Sequence, residues 1–90
     1  MIKKVDLKKY LIAISEPNRL KILELLKSGE KCACKIHPKL KLPQNLSSHH
    51  LKVLTNLSLL KSRREGINIL YSRNEDIINH YQLELTKKIL

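Results

Sequence analysis

Four stretches of helical periodicity, a short segment ahead of the third, and two strand-like runs around a glycine turn stand in this sequence. In that order they predict a mainly α fold with a β-hairpin wing, a dimeric winged helix-turn-helix forming a single domain over residues 1–90. Ninety residues supply one modest core, built here from Leu and Ile because Trp and Phe are absent. A domain this small gains stability by pairing, so apolar stripes near either end read as dimer surface.

Met1 to Lys4 reads as a loose, charged start. Leu7, Tyr10, Leu11 and Ile14 then fall at i, i+3, i+4 and i+7, which places a terminal helix over about residues 5–14. Pro17 cannot continue that helix but suits the first turn of the next, with Ser15 or Glu16 at its cap. From Asn18 to Lys27, Leu20, Ile22, Leu23, Leu25 and Leu26 cover most of the circumference, the pattern of the most buried helix. Ser28-Gly29 ends it. Cys32 to His37 is a short helical segment bounded by Pro38. After Leu42-Pro43 a helix over about residues 44–57 carries Ser47, His50, Leu51, Leu54 and Leu57 on one side. The period then changes: two runs around Glu65-Gly66-Ile67-Asn68 make a hairpin wing over about residues 59–73. Ile77, Ile78, Tyr81, Leu85 and Ile89 stripe a last helix over about residues 75–89, which with the first is the expected dimer surface.

The net charge is +10, from 18 Lys and Arg against eight Asp and Glu. That excess asks for an acidic partner, although a Lys-rich proteome produces a similar bias everywhere. No apolar run approaches the ~18–20 residues of a spanning helix and no signal peptide opens the chain, so no membrane contact and a cytoplasmic location are expected. A glycine-rich phosphate loop, paired carboxylates and a catalytic triad are all missing, and no enzyme is expected. His49 and His50 are adjacent and diverge by ~100° on a helix, so they do not make a metal pair. His49 faces outward and His50 packs or bonds beneath the helix.

Gln44, Asn45, Leu46, Ser48, His49 and Lys52 lie away from the leucine stripe, mostly in the first two turns of their helix. Amide side chains there can bond adenine edges, Leu46 can press on a thymine methyl, and the helix end favours phosphate. A solvated helix start has the same composition, so this helix alone does not decide the matter. The wing adds Lys61, Arg63 and Arg64 before its turn and Asn68 after it, suited to phosphate or minor-groove contact. Helix, basic wing and charge together point to sequence-specific binding of duplex DNA. A winged-helix protein-interaction module is the rival, separable by the salt dependence of DNA binding.

Three stretches then resemble the arsenic-repressor (ArsR/SmtB) family of winged-helix regulators: Ser15-Glu16-Pro17-Asn18-Arg19-Leu20-Lys21-Ile22-Leu23, Ser48-His49-His50-Leu51-Lys52-Val53-Leu54, and Arg63-Arg64-Glu65-Gly66 with Tyr71. Glu30-Lys31-Cys32-Ala33-Cys34-Lys35-Ile36 is similar to the cysteine-bearing metal box of some members. The resemblance implies a homodimer, paired through its first and last helices, that binds a palindromic operator and represses its own operon. Two positions depart from the family pattern. Ser47 stands where an apolar residue is common and Ser58 where a Gly is common, a loss of packing and an uncomfortable positive-φ turn respectively. The family's other metal site uses Asp and His on the last helix, but Asp76 and His80 do not have its spacing.

Thiolates take soft ions such as Cd(II), Pb(II), Zn(II), Cu(I) and trivalent arsenic. On a regular helix Cys32 and Cys34 point ~200° apart, so they can share an ion only if the turn unwinds. That distortion would loosen the brace of the reading helix and release DNA. His37, one turn beyond Cys34, is the candidate third ligand and stands where some arsenic-sensing members have a third cysteine. A Cys32-Cys34-His37 set leans toward Zn(II) or Cd(II). A thiol redox switch and a cysteine pair with no sensing role remain open beside it.

Overall fold

The structure, a computed structural model, describes residues 6–90. The expected loose start and the first residue of the expected 5–14 helix lie outside them. The elements run α1 (Leu7–Ile14), α2 (Pro17–Leu25), β1 (Lys31–Cys32), α3 (Ala33–Leu40), α4 (Gln44–Asn56), β2 (Leu60–Glu65), β3 (Asn68–Arg73) and α5 (Glu75–Ile89). The strands form one antiparallel sheet in the order β1-β3-β2. This is the mainly helical winged helix-turn-helix that the sequence predicts.

Local chemistry sets the element ends. The Asp6 carboxylate accepts the Lys9 amide at 3.1 Å and caps α1. Pro17 opens α2 behind a Glu16 cap, whose carboxylate accepts the Arg19 amide at 3.0 Å. A single 3₁₀ turn, Leu26–Ser28, then leads to Gly29 at φ 130°. Ser58, after α4, does take a positive φ of 61°, and Lys41, after α3, takes one of 55°. Pro43 then starts α4.

The core gathers one face of every helix. Ile22, Ile36, Leu51, Leu54 and Leu59 are fully buried. Tyr10 of α1 stacks on Tyr81 of α5 at 4.3 Å between ring centroids, tying the terminal helices together. Leu20 corrects the expectation of an α2 buried all round: it is 52% exposed, because α1, α3 and α4 cover only the side carrying Ile22, Leu23 and Leu26.

The segment around the cysteines also differs from expectation. Pro38 lies inside α3 instead of bounding it. Proline forfeits only the bond to the Cys34 carbonyl, one turn back at the exposed start of the helix, where losing it costs least. Cys32 precedes the helix in extended conformation (φ −64°, ψ 144°) and belongs to β1, paired with Leu70 of the wing. A two-residue strand carries no periodic signal, so it was not foreseeable from pattern.

Candidate DNA interface and cysteine site

Gln44, Asn45, Leu46, Ser48, His49 and Lys52 are all exposed on α4, while Ser47, His50, Leu51 and Leu54 are buried. No side chain caps the N-terminus of α4. Its first amides are therefore open to a phosphate oxygen, with Gln44 and Asn45 beside them.

Two polar residues seat this helix from below. Ser47, fully buried, is hydrogen-bonded through its hydroxyl to Nδ1 of His37 on α3. The position that seemed a defect in packing is thus satisfied from the neighbouring helix and not by a local carbonyl. The two residues are ten apart, and no local pattern announces the pair.

His50 is the second seat. Its Nδ1 lies 3.1 Å from an Arg19 guanidinium nitrogen, and its Nε2 lies 3.7 Å from the Glu16 carboxylate. Guanidinium only donates, so Nδ1 accepts and the ring is neutral with its proton on Nε2. Arg19 also donates from Nε to the Ala13 carbonyl at 2.8 Å, and Asn18 donates to Glu16 at 3.2 Å. Burial holds the His50 pKa below its ordinary value; Glu16 pulls it up, and Arg19 and His49 push it down. Burial raises the Glu16 pKa, but its hydrogen bonds from Arg19 and Asn18 and the nearby His50 outweigh that and leave it lowered. Sequence reasoning placed His50 beneath the helix but missed its partners on α2.

The wing divides its basic residues between two faces. Alternation along the paired strands puts Arg64 with Ile69, Ser62 and Tyr71, and puts Lys61 and Arg63 with Leu70, Ser72 and Asn68. Ile69 and Tyr71 line a cleft with Gln44, Ser48 and Leu51 of α4, and Arg64 shares their strand face, directly opposite Ile69. Arg63, on the other face, is gripped by Glu30 through two bonds of 2.7 and 2.8 Å and reaches Glu65 at 3.0 Å. The hydrogen bonds from Arg63 hold the Glu30 carboxyl below its usual range. Lys61 and Arg64 have no carboxylate partner among the described residues.

Cys32 and Cys34 are joined as a disulfide, with Cα atoms 5.1 Å apart. Their expected divergence by ~200° assumed that both lie on the helix. Because Cys32 lies outside it, both sulfurs reach one point without any unwinding. The Cys32 sulfur also accepts the Cys34 amide at 3.1 Å and so caps α3. Reduced, the pair offers two adjacent soft donors at a helix N-terminus, a fit for a thiophilic ion. His37 is not gathered with them: no cluster of three His, Cys, Asp or Glu donors suited to a metal occurs among the described residues. Cys32, Cys34, His37, Gln44 and Ser48 line one cleft of about 540 Å³ with the wing tip at Ile67.

An uncapped polar helix end, a basic strand face beside it and a brace helix beneath it define a winged-helix transcriptional regulator. Residues 16–62 match the profile of the bacterial regulatory protein arsR family. The chain is 34% identical over 80 residues to the arsenical resistance operon repressor of Staphylococcus xylosus, covering 89% of this chain and 77% of that one. It is 47% identical over 55 residues to an uncharacterised HTH-type transcriptional regulator of Methanocaldococcus jannaschii, covering 60% of this chain and 62% of that one. The crystal structure of a possible transcriptional regulator for arsenical resistance superposes with a TM-score of 0.82 at 24% identity, over 89% of this chain and 83% of that one. The chain belongs to the arsR family of bacterial regulatory proteins. Regulation of transcription, not enzymatic catalysis, is the work of that family.

Proposed function

We propose that this chain is a homodimeric, cytoplasmic repressor that binds a palindromic operator through the N-terminal half of α4 and the α4-facing side of the wing. The exposed, uncapped start of α4, flanked by Arg64, carries this reading. Gln44, Asn45, Leu46, Ser48 and His49 read base edges, while Lys52 and Arg64 meet the backbone; Lys61 and Asn68 lie on the other face of the hairpin and are left out of this contact. Arg63 is reassigned from phosphate contact to bracing, because Glu30 and Glu65 already neutralise it. Leu11 and Ile12 on α1 and Leu83 and Ile89 on α5 are exposed apolar residues, which supports pairing through these helices. No helix among the described residues is long and apolar enough to cross a membrane.

Selection from random duplexes, followed by titration at two salt concentrations, tests the DNA reading. Specific binding that weakens steeply with salt is expected. Arg64→Ala reduces the log–log salt slope by about one and Arg63→Ala by clearly less. Absence of binding at low salt supports the protein-interaction module instead.

The inducer is a soft ion held by reduced Cys32 and Cys34: Cd(II), Pb(II), Zn(II) or trivalent arsenic. The cysteine pair and the kinship with an arsenical operon repressor support this. Cys34→Ser leaves operator affinity in place and abolishes release by these ions. An unchanged response in that variant, measured by fluorescence anisotropy under reducing conditions, refutes the site. The disulfide favours a second reading, release by oxidation. There a hydroperoxide takes two electrons from the thiols and leaves as alcohol and water, and release then follows peroxide without any ion.

A further inference from the structure

We infer that the cleft between α1 and α4 is a binding site for a small carboxylate with an apolar body, received by the Arg19 guanidinium. Lys9, Ile12 and Ala13 recur at helical spacing along one face of α1, and His49, Val53 and Leu57 do so along α4 and its cap. The cleft between these faces has a volume of about 490 Å³, the size of a small-molecule site. Ile12, Val53 and Leu57 give it apolar walls, and Arg19 joins them from α2. Lys9, Arg19 and His49 line it, whereas no acidic residue does. It shares no residue with the cleft at the cysteines.

Arg19 is the anchor. Its Nε donates to the Ala13 carbonyl at 2.8 Å and its Nη1 to His50 Nδ1 at 3.1 Å, so two neutral acceptors fix the guanidinium in place. Nη2 makes no hydrogen bond among the described residues, and no carboxylate among them pairs with the group. Glu16 accepts instead from the Arg19 amide and from Asn18, and lies 3.7 Å from His50. A half-buried cation without a counter-charge is costly, because its surroundings replace only part of the water it loses. A carboxylate in the cleft supplies that charge. The planar guanidinium can donate to it from a position already set, and Lys9 adds a second positive group. Inorganic phosphate would answer the charge but not the apolar walls, and a neutral hydrocarbon would leave Arg19 unpaired. An amphipathic monocarboxylate, such as a medium-chain fatty acid, meets both. Ile12, 56% exposed, also belongs to the apolar residues assigned to pairing, so a second copy of the chain is the rival occupant.

The test titrates the full chain with sodium octanoate by calorimetry and follows the Arg19 Nε–H resonance by NMR. Octanoate is expected to bind with a Kd on the order of 0.1–1 mM and to shift that resonance. Acetate lacks the apolar body and octanol lacks the charge, so each binds roughly tenfold more weakly or less tightly still. Lys9→Glu weakens octanoate by about three- to tenfold, whereas Lys39→Glu, the same charge change on α3 outside the cleft, leaves it unchanged. Val53→Phe fills the cleft and abolishes binding; if that variant fails to fold, Lys9→Glu and the octanol comparison decide. Equal affinity for octanoate and octanol overturns the role of Arg19, and with it the site. Absence of octanoate binding also overturns it. In that case dissociation of a dimer by Val53→Phe gives the cleft to a second copy. A salt slope of operator binding reduced by about one in Lys9→Glu gives it instead to a DNA phosphate.

Discussion

Leu54→Ala is expected to destabilise the protein by about 3 kcal/mol and lower its Tm by roughly 10–20 °C. Leu54 is fully buried beneath α4, in the cluster with Ile22, Ile36, Leu51 and Leu59. Truncation removes buried methyl groups from the point where three helices meet, and the cavity left behind adds to the lost transfer energy. For a domain of this size that is a large share of a total stability of about 5–10 kcal/mol. Leu46, two turns earlier on the same helix, makes the control. It is 45% exposed, so Leu46→Ala shifts stability by about 0.5 kcal/mol or less while weakening operator binding. Denaturant unfolding and DNA titration of both variants check the pair. Equal stability losses would show that α4 is not seated through Leu54.

Arg19→Ala is expected to cost about 2 kcal/mol or more, because it leaves the Ala13 carbonyl and His50 Nδ1 without their donor. It also changes the response to acid. The folded-state pKa of His50 lies below its ordinary value of 6.5, so the unfolded chain binds the proton more readily. Stability is therefore full above about pH 6.5 and falls as pH drops from there toward the folded-state pKa. Glu16, lowered from 4.5, adds a second loss beginning at more acidic pH. Because Arg19 helps to depress the His50 pKa, Arg19→Ala begins less stable yet loses less between pH 7.5 and 5.5. Denaturation midpoints across that range check this, with His50→Gln as the variant in which the first loss disappears. A wild-type midpoint flat over the same range refutes the account of His50.

What the sequence made legible was local and periodic. The Leu51–Leu54–Leu57 stripe, Pro17 at a helix start and the turn at Gly66 each carry their signal within a few residues, and the order of elements followed from them. The seats of the reading helix were not legible, because they join distant positions. Arg19 meets His50 across 31 residues, Arg63 meets Glu30 across 33, and His37 finds Ser47 only once α3 packs on α4. The same packing set Cys32 outside the helix, since pairing with Leu70 outweighed the weak local preference of so short a segment. One missed feature did have a signal. Alternation in the hairpin already separates Arg63 from Arg64, and asking which side faces a helix would have singled out Arg64 as the freer charge.

The short strand β1 has a kinetic meaning as well. It lies at the edge of the sheet and is held there by two paired residues, Lys31 opposite Tyr71 and Cys32 opposite Leu70. Detaching so small a strip costs far less than unfolding the core, so its amides exchange with solvent through brief local openings while those of Ile22 or Leu54 wait for the whole domain to open. Cys32 thus sits in a strip that can open locally, next to parts that must stay rigid to hold a helix against DNA.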